Sequence, residues 1–270
     1  MTDITSDFHM HTSFSNDSKS SPEQMVLGAI KKGMKIICFT DHQDKDYSFE
    51  GTEAVYDTGE YFRILEKLQY KYKEQIEVRI GVELGLQPHL GAYYKKYVHQ
   101  YPFDFVIGSV HLIMSKDPYF DNFFIDHTDS EAYKIAFKQT LEDIQGVDDF
   151  DVLGHLDYIV RYGKEKDKEY SYAKYATDID EILKHLINHG KGIELNTAGF
   201  KYGLSFAHPH PEVLKRYKEL GGEILTIGAD GHKPEHIGYD FHRVSDILQE
   251  CGFKYYTEFK DRKPIFKQLP

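Results

Sequence analysis

The chain of 270 residues contains only two cysteines. Cys38 lies in a short apolar run, and Cys251 lies far along the chain from it. The sequence therefore offers neither a disulfide framework nor a CxxC zinc motif. Any metal ion would have to be bound by histidine, aspartate and glutamate.

Long apolar segments and a surplus of basic residues are also missing. No apolar run approaches the ~20 residues that span a bilayer, and no signal-type segment follows the first methionine. We therefore expect a cytoplasmic protein without a membrane partner. Lysine and arginine total 33 against 44 aspartates and glutamates, which gives a formal net charge of −11. Because this charge would repel a phosphate backbone, we expect no nucleic-acid partner.

Tryptophan is absent, so the 21 tyrosines and 18 phenylalanines must supply much of the bulk of the core. The length lies in the ~250-residue range that one α/β barrel fills. We expect a single domain over residues 1–270. Residues 252–270 depart from the rest of the pattern, and they predict two short strands around Lys260 to Lys263 that pack outside the main fold.

Short β-type runs alternate with stretches of helical periodicity about seven times. This alternation predicts a parallel sheet, either open or closed into a barrel. The predicted strands are residues 6–11, 35–40, 77–84, 104–110, 151–155, 192–196 and 223–228. The predicted helices are residues 22–32, 60–73, 130–145, 177–188 and 211–220.

Metal-binding residue types follow most of these strands. Alternate residues of a strand point to one face, so His9 and His11 can direct two imidazoles at one point, and Asp17 follows shortly after. A barrel brings the carboxyl ends of all its strands to one mouth, so these residues favour a barrel over an open sheet. The other segments are Thr40-Asp41-His42, Gly81-Val82-Glu83, Gly108-Ser109-Val110-His111, Gly154-His155 and Gly228-Ala229-Asp230-Gly231-His232.

The remaining histidines have no partner at ligand spacing. His208 and His210 flank Pro209, with no predicted strand ahead of them, and we expect them in a surface loop. The others are expected to be surface or packing residues, with His242 the one to reconsider because of its segment. They are His89, His99, His127, His185, His189, His236 and His242.

These motifs, in this order, resemble the polymerase and histidinol phosphatase (PHP) family over essentially the whole chain, from Asp7-Phe8-His9-Met10-His11-Thr12 to Arg262-Lys263-Pro264. The resemblance implies a distorted (β/α)7 TIM-like barrel with three divalent metal ions at its mouth. It places His9, His11, Glu83 and Asp230 around the first ion. Glu83 would bridge to a second ion held by His111 and His155, and Asp17, His42 and His232 would hold the third.

Aspartate at position 17 departs from relatives that carry histidine there, and an acidic ligand could favour harder ions. Mixed imidazole and carboxylate ligands suit Zn, Mn or Fe. Arg161 and Lys201 follow the predicted strands 151–155 and 192–196, and with His42 they are the candidate phosphate-binding residues. A guanidinium suits phosphate oxygens well, and lysine is the weaker clamp.

The resemblance implies a phosphomonoesterase that hydrolyses L-histidinol phosphate to L-histidinol and phosphate in histidine biosynthesis. Our hypothesis is that a metal-bridged hydroxide attacks phosphorus, with Glu83 between the metals. Asp230 or His232 would deliver a proton to the departing oxygen. The residues that recognise the amine and imidazole stay open, and candidates by position alone are Asp44, Asp46, Glu50 and Tyr158.

Two alternatives remain open at this point. One is a PHP phosphoesterase that acts on nucleotides or phosphodiesters, although the chain leaves little room for an extra helical domain. The other is a non-catalytic barrel with structural metals, which the open mixed-ligand cluster disfavours. Oligomeric state cannot be read from the residues.

Overall fold

The computed structural model describes residues 4–49, 51–120 and 123–270. Its strands, in chain order, are β1 (Ser6–Asp7), β2 (Ile36–Phe39), β3 (His42–Phe49), β4 (Thr52–Ala54), β5 (Glu77–Gly85), β6 (Phe105–Ser109), β7 (Val152–Leu153), β8 (Gly192–Asn196), β9 (Leu225–Gly228), β10 (Tyr255–Lys260) and β11 (Lys263–Gln268). Its α-helices are α1 (Pro22–Lys31), α2 (Thr58–Tyr72), α3 (Gly91–Val98), α4 (Asp129–Gly146), α5 (Tyr172–Asn188), α6 (Ala198–Lys201), α7 (Pro211–Glu219) and α8 (Val244–Glu250).

Seven parallel strands form a nearly closed barrel in the order β1-β2-β5-β6-β7-β8-β9. The first and last of them meet where the amide of Phe8 donates to the carbonyl of Ile227 at 3.0 Å, and Met10 pairs with Gly231 one step further. The predicted barrel is confirmed. In the described part of the chain, no helix is both long and apolar enough to cross a bilayer.

All seven predicted strands and all five predicted helices are present, although several are shorter or longer than the sequence indicated. Capping explains the sharp helix starts. Ser21 and Gln24 form a reciprocal capping box ahead of Pro22 in α1, and Thr128 and Glu131 do the same for α4.

Five elements were not predicted from the sequence. They are the helices α3, α6 and α8, the strand β3 and the strand β4, and β3 and β4 form a hairpin beside β5 at the mouth. The hairpin could not be predicted because residues 42–46 are all polar or charged, so this part of β3 shows no alternation of apolar and polar residues.

The main core lies between the barrel and its helices, and a smaller cluster fills the barrel interior. Phe8 and Phe105 belong to strand segments separated by two others, yet their rings lie 5.6 Å apart, so they meet across the interior. Phe259 of the β10–β11 hairpin packs 5.0 Å from Phe105 at the start of β6. The hairpin is a separate two-stranded sheet that covers the amino end of the barrel, which leaves the carboxyl end open as the mouth.

Candidate metal centre

The mouth brings together all nine residues that the sequence analysis assigned as metal ligands. His9, His11, Glu83 and Asp230 are almost fully buried. The side chain of Asp17 is the most exposed of the set, at 43%. The remaining members are His42, His111, His155 and His232.

Four ligand-type atoms form a compact group at the junction of β1, β5 and β9. The Nε2 atoms of His9 and His11 lie 3.1 Å apart. Glu83 Oε2 is 3.3 Å from the first of these nitrogens and 3.5 Å from the second. Asp230 Oδ1 is 3.9 Å and 3.3 Å from the same two atoms. Ligands at ~2.0–2.1 Å from a tetrahedral ion lie about 3.3–3.4 Å apart, so the donor set fits a divalent cation.

The two oxygens of Glu83 face different groups. Oε2 belongs to the group just described, whereas Oε1 lies 3.0 Å from His155 Nε2 and 3.3 Å from His111 Nε2. Ser109 also donates a hydrogen bond to Oε1 at 2.6 Å. This one carboxylate therefore spans two sets of donors, as a metal-bridging carboxylate must.

A third group lies closer to solvent. Asp17 Oδ2 is 2.9 Å from His232 Nε2 and 3.7 Å from His42 Nε2. The ring of His11 stacks on both of these imidazoles, at 4.2 Å from His42 and 4.1 Å from His232. His42 Nδ1 also lies 2.9 Å from Glu83, so this group is continuous with the other two.

The electrostatics of the cluster are those of a cation site. Burial opposes ionisation of Glu83, but the surrounding histidines outweigh it and hold its pKa well below the usual value. Burial would lower the pKa of His9, yet the carboxylates of Glu194 and Glu83 raise it well above the usual value. Burial instead lowers the pKa values of His11 and His155, so the carboxylates favour a proton on His9 but not on every imidazole of the cluster.

Arg161 lies beside this cluster, in a short 3-10 turn after β7. Its guanidinium carbon lies 4.3, 4.9 and 4.2 Å from the ring centres of Tyr158, Tyr162 and Tyr202. Nη2 donates to the Tyr162 hydroxyl at 2.7 Å. Nε and Nη1 are buried and have no hydrogen-bond partner among the described residues, and Nη1 is 3.8 Å from Asp230 Oδ2.

Lys201 approaches the same corner from the end of α6. Its ammonium donates to the backbone carbonyl of Asp230 at 2.9 Å. Burial lowers the pKa of Lys201, and the nearby Asp230 carboxylate partly opposes this shift. Two cationic side chains therefore converge on Asp230 from neighbouring strand ends.

Comparison with known proteins identifies the family of the chain. The PHP domain matches residues 7–198 of the chain. The chain belongs to the PHP family. It is 31% identical to the histidinol-phosphatase of Lactococcus lactis over 95% of both chains, and 34% identical to a probable histidinol-phosphatase of Clostridium acetobutylicum over 92% of this chain and 94% of that one.

Two solved structures share the barrel fold of this chain. The crystal structure of the Lactococcus lactis histidinol phosphate phosphatase, complexed with zinc, L-histidinol and phosphate, superposes with a TM-score of 0.88. It shares 31% identity and covers 97% of this chain and 99% of that chain. A putative histidinol phosphatase of Listeria monocytogenes has the same fold, with a TM-score of 0.75 at 18% identity, over 88% of this chain and 98% of that one.

A buried glutamate that was not predicted from the sequence supports the nine candidate metal ligands. Glu194 is 1% exposed, and its Oε1 lies 2.7 Å from His9 Nδ1. Its Oε2 accepts hydrogen bonds from the His155 amide at 3.0 Å and from the Asn196 side chain at 3.1 Å. The available signal was an acidic residue in the buried strand Gly192–Asn196, where an unpaired carboxylate would be costly.

Other supporting contacts act on His111 and His11. Asp44 Oδ2 lies 2.9 Å from His111 Nδ1, so this carboxylate orients an imidazole. Asp44, a candidate for the substrate wall by position alone, thus has one oxygen engaged with His111. Ser15 Oγ lies 3.0 Å from His11 Nδ1 and donates to Asp41 at 2.7 Å, which fixes the ring from behind.

Two backbone positions at the mouth have unusual φ angles, and a third position has no room for a side chain. His155 and Asp230 have φ of +21° and +51°, a region that residues with a side chain rarely adopt. Gly228 is required by space, because a Cβ there would lie 2.4 Å from both Glu194 Oε1 and the Cβ of His9. The strained backbone at His155 and Asp230 therefore lies where the side chains of the cluster meet.

The surface-loop prediction was wrong for His208. This residue is fully buried, its Nδ1 lies 2.5 Å from Asp157 Oδ1, and its backbone pairs with Asn196 at the end of β8. His210 is partly buried and caps α7. The seven other histidines without ligand spacing are exposed or partly exposed, in agreement with the sequence analysis.

The other candidates for the substrate wall have different surroundings. Asp46 is exposed and lies 3.0 Å from His89 Nε2. Tyr158 is 8% exposed and contacts Arg161, which leaves it little free surface. Glu50 lies outside the described residues.

Proposed function

We propose that this protein is a metal-dependent phosphomonoesterase that hydrolyses L-histidinol phosphate to L-histidinol and phosphate, as a step of histidine biosynthesis. The observation that carries the proposal is the buried guanidinium of Arg161, with two unpartnered nitrogens beside a nine-residue cluster of metal-binding side chains. Relatives named histidinol-phosphatase and a neighbour that binds zinc, L-histidinol and phosphate support it.

Three divalent ions, chosen from Zn, Mn and Fe, are proposed for the mouth. The first would be held by His9, His11, Glu83 and Asp230, the second by Glu83, His111 and His155, and the third by Asp17, His42 and His232. Ions bound there would lower the pKa of water from 15.7 to about 7 and so supply a nucleophile at neutral pH. The near-tetrahedral spacing around His9 and His11 and the two-sided contacts of Glu83 support this assignment.

The protein's own side chains would bind and orient the phosphate. Arg161 offers Nε and Nη1, whose burial strengthens their attraction for an anion because little water competes. Lys201 and His42 would contact the same phosphoryl group from the sides of α6 and β3. Asp230 and His232 are the two candidates to deliver a proton to the departing oxygen, and the proposal leaves the choice between them to mutagenesis.

Substrate choice is tested by turnover of three compounds on one metal-analysed preparation. These are histidinol phosphate, a nucleoside monophosphate and a phosphodiester. We expect the first to be hydrolysed with the highest kcat/KM. The alternative PHP activities on nucleotides or phosphodiesters would reverse this order, and a metal-loaded protein inert toward all three would refute a catalytic role.

The role of Glu83 is tested by Glu83→Gln. An amide cannot present two anionic oxygens to two ions, so we expect loss of bound metal and of phosphatase activity together. Glu74→Gln is the matched control, because Glu74 is exposed and lies in the loop after α2, away from the mouth. Full metal content with retained activity in Glu83→Gln would mean that the proposed arrangement is wrong.

A further inference from the structure

The tyrosines around Arg161 include one, Tyr202, that also reaches Lys201. Its ring centre lies 4.2 Å from the guanidinium carbon of Arg161 and 5.1 Å from Lys201 Nζ. Tyr202 directly follows α6, and Lys166 donates to its backbone carbonyl at 3.0 Å. One side chain therefore contacts both cations proposed to bind phosphate.

Tyr202 is the most exposed of the three tyrosines whose rings face Arg161. Its side chain is 43% exposed, whereas Tyr158 is buried beneath the same guanidinium. The rings of Tyr158 and Tyr202 both contact Arg161, and no contact between the two rings is found, so they lie on different sides of the guanidinium. With Tyr162 bonded to Nη2, the side chain of Arg161 is held in a single place.

We propose that Tyr202 is a positioning residue for phosphate binding. The proposal rests on the proposed function, because it takes the site beside Arg161 to be a phosphate site. Arginine has several rotatable bonds, and fixing them before the ligand arrives reduces the entropy lost on binding. The aromatic faces also stabilise the buried cation while leaving Nε and Nη1 free for an anion.

The position of Asp230 makes this restraint necessary. Arg161 Nη1 lies 3.8 Å from Asp230 Oδ2, close enough for attraction but beyond hydrogen-bond distance. Without the Tyr202 ring, the guanidinium would gain freedom to move toward this carboxylate or toward solvent. Either movement would take its nitrogens away from the phosphate.

The experiment compares Tyr202→Leu and Tyr202→Phe in the full-length, zinc-loaded protein. The probe is inorganic phosphate, with its Kd measured by calorimetry, and zinc content is determined on the same samples. We expect leucine to raise the Kd roughly tenfold, the magnitude of one partly exposed cation–π contact, with zinc content unchanged. Phenylalanine should recover most of this loss, because the Tyr202 hydroxyl has no hydrogen-bond partner among the described residues.

Tyr70→Leu provides the matched control. Tyr70 is 76% exposed on α2, so this variant makes the same chemical change on a different element. It should bind phosphate as the unmodified protein does. With histidinol phosphate as substrate, Tyr202→Leu should raise KM by a similar factor and lower kcat less.

Three results would overturn the proposal. They are an unchanged phosphate Kd in Tyr202→Leu, a loss of zinc that accounts for the change, and a phenylalanine variant as weak as the leucine variant. Failure of the proposed function has a different signature. In that case the unmodified protein would not hydrolyse histidinol phosphate, while the tenfold difference in inorganic phosphate binding would remain.

Discussion

Replacing Glu194 by glutamine should weaken metal binding, although the two side chains have the same shape. The carboxylate of Glu194 accepts from the His155 amide and the Asn196 side chain on one oxygen and contacts His9 Nδ1 with the other. Glutamine has one oxygen and one NH2 group, so it cannot accept on both sides. If its oxygen faces His9, its NH2 group opposes two donors.

If the amide has the opposite orientation, its NH2 group donates to His9 Nδ1. The proton of a neutral imidazole then moves to Nε2, the atom that lies 3.1 Å from His11 Nε2 and faces the proposed metal. Loss of such a supporting partner typically lowers metal affinity tenfold to a hundredfold, about 1.4–2.7 kcal/mol. The mispaired buried donor should also cost about 1–3 kcal/mol of folding free energy.

The assay is a zinc titration in competition with a chromophoric chelator, paired with urea unfolding of the zinc-free protein. Glu223→Gln is the control, because Glu223 is exposed just before β9. We expect the zinc affinity of at least one site to fall by the stated factor in Glu194→Gln only. Equal zinc affinities in the two variants would refute the idea that Glu194 sets the orientation and protonation of His9.

Two further predictions concern stability. Phe259→Ala should lower the free energy of unfolding by about 3–5 kcal/mol in a denaturant titration, because Phe259 is 2% exposed and fills the barrel interior. Phe266→Ala on the same hairpin is the control and should lower it far less, since Phe266 is 48% exposed. Equal losses of stability in the two variants would contradict this prediction. Burial raises the pKa of Asp143 to about 7, whereas an aspartate in the unfolded chain has a pKa near 3.9. The contribution of Asp143 to folding stability is therefore complete below about pH 4 and is lost as the pH rises to 7. Asp143→Asn should therefore raise the free energy of unfolding by a few kcal/mol at about pH 8.5 and by less at about pH 5.5. Asp246→Asn is the control, because Asp246 is exposed and its replacement should have the same effect at both pH values. An equally pH-independent effect of Asp143→Asn would count against the prediction.

The barrel and the residues that gather at its mouth were predictable because their signals are local. A strand and the residue that follows it are neighbours in the sequence, so Glu83 and His155 could be placed at the mouth from the apolar runs that precede them. Family resemblance then divided these residues among ions, a step that periodicity alone could not make. That division among the ions stays a prediction, because the donor atoms form one continuous cluster in which His42 Nδ1 also lies 2.9 Å from Glu83.

The supporting contacts were not predictable because they join residues far apart in the chain. Glu194 reaches His9 across the barrel, and His208 pairs with Asp157 from another strand end. Nothing in the sequence near His208 indicates that its backbone pairs with Asn196 and carries it inside. Among the tyrosines around Arg161, Tyr202 was equally hidden, since it comes from the end of α6.

Strand β6 and its continuation show why polarity along a strand carries functional information in such a barrel. Phe105 and Ile107 belong to the interior apolar cluster, Ser109 donates to Glu83, and His111 lies 3.3 Å from the same carboxylate. These residues alternate along the strand, so they form one inward-facing row. Toward the mouth, the row changes from apolar residues to a hydrogen-bonding serine and then to the proposed metal ligand His111. This pattern along a strand distinguishes a histidine at the mouth from a histidine in the core more reliably than the histidine alone. The reason is that the residues before the histidine must also fit the barrel wall.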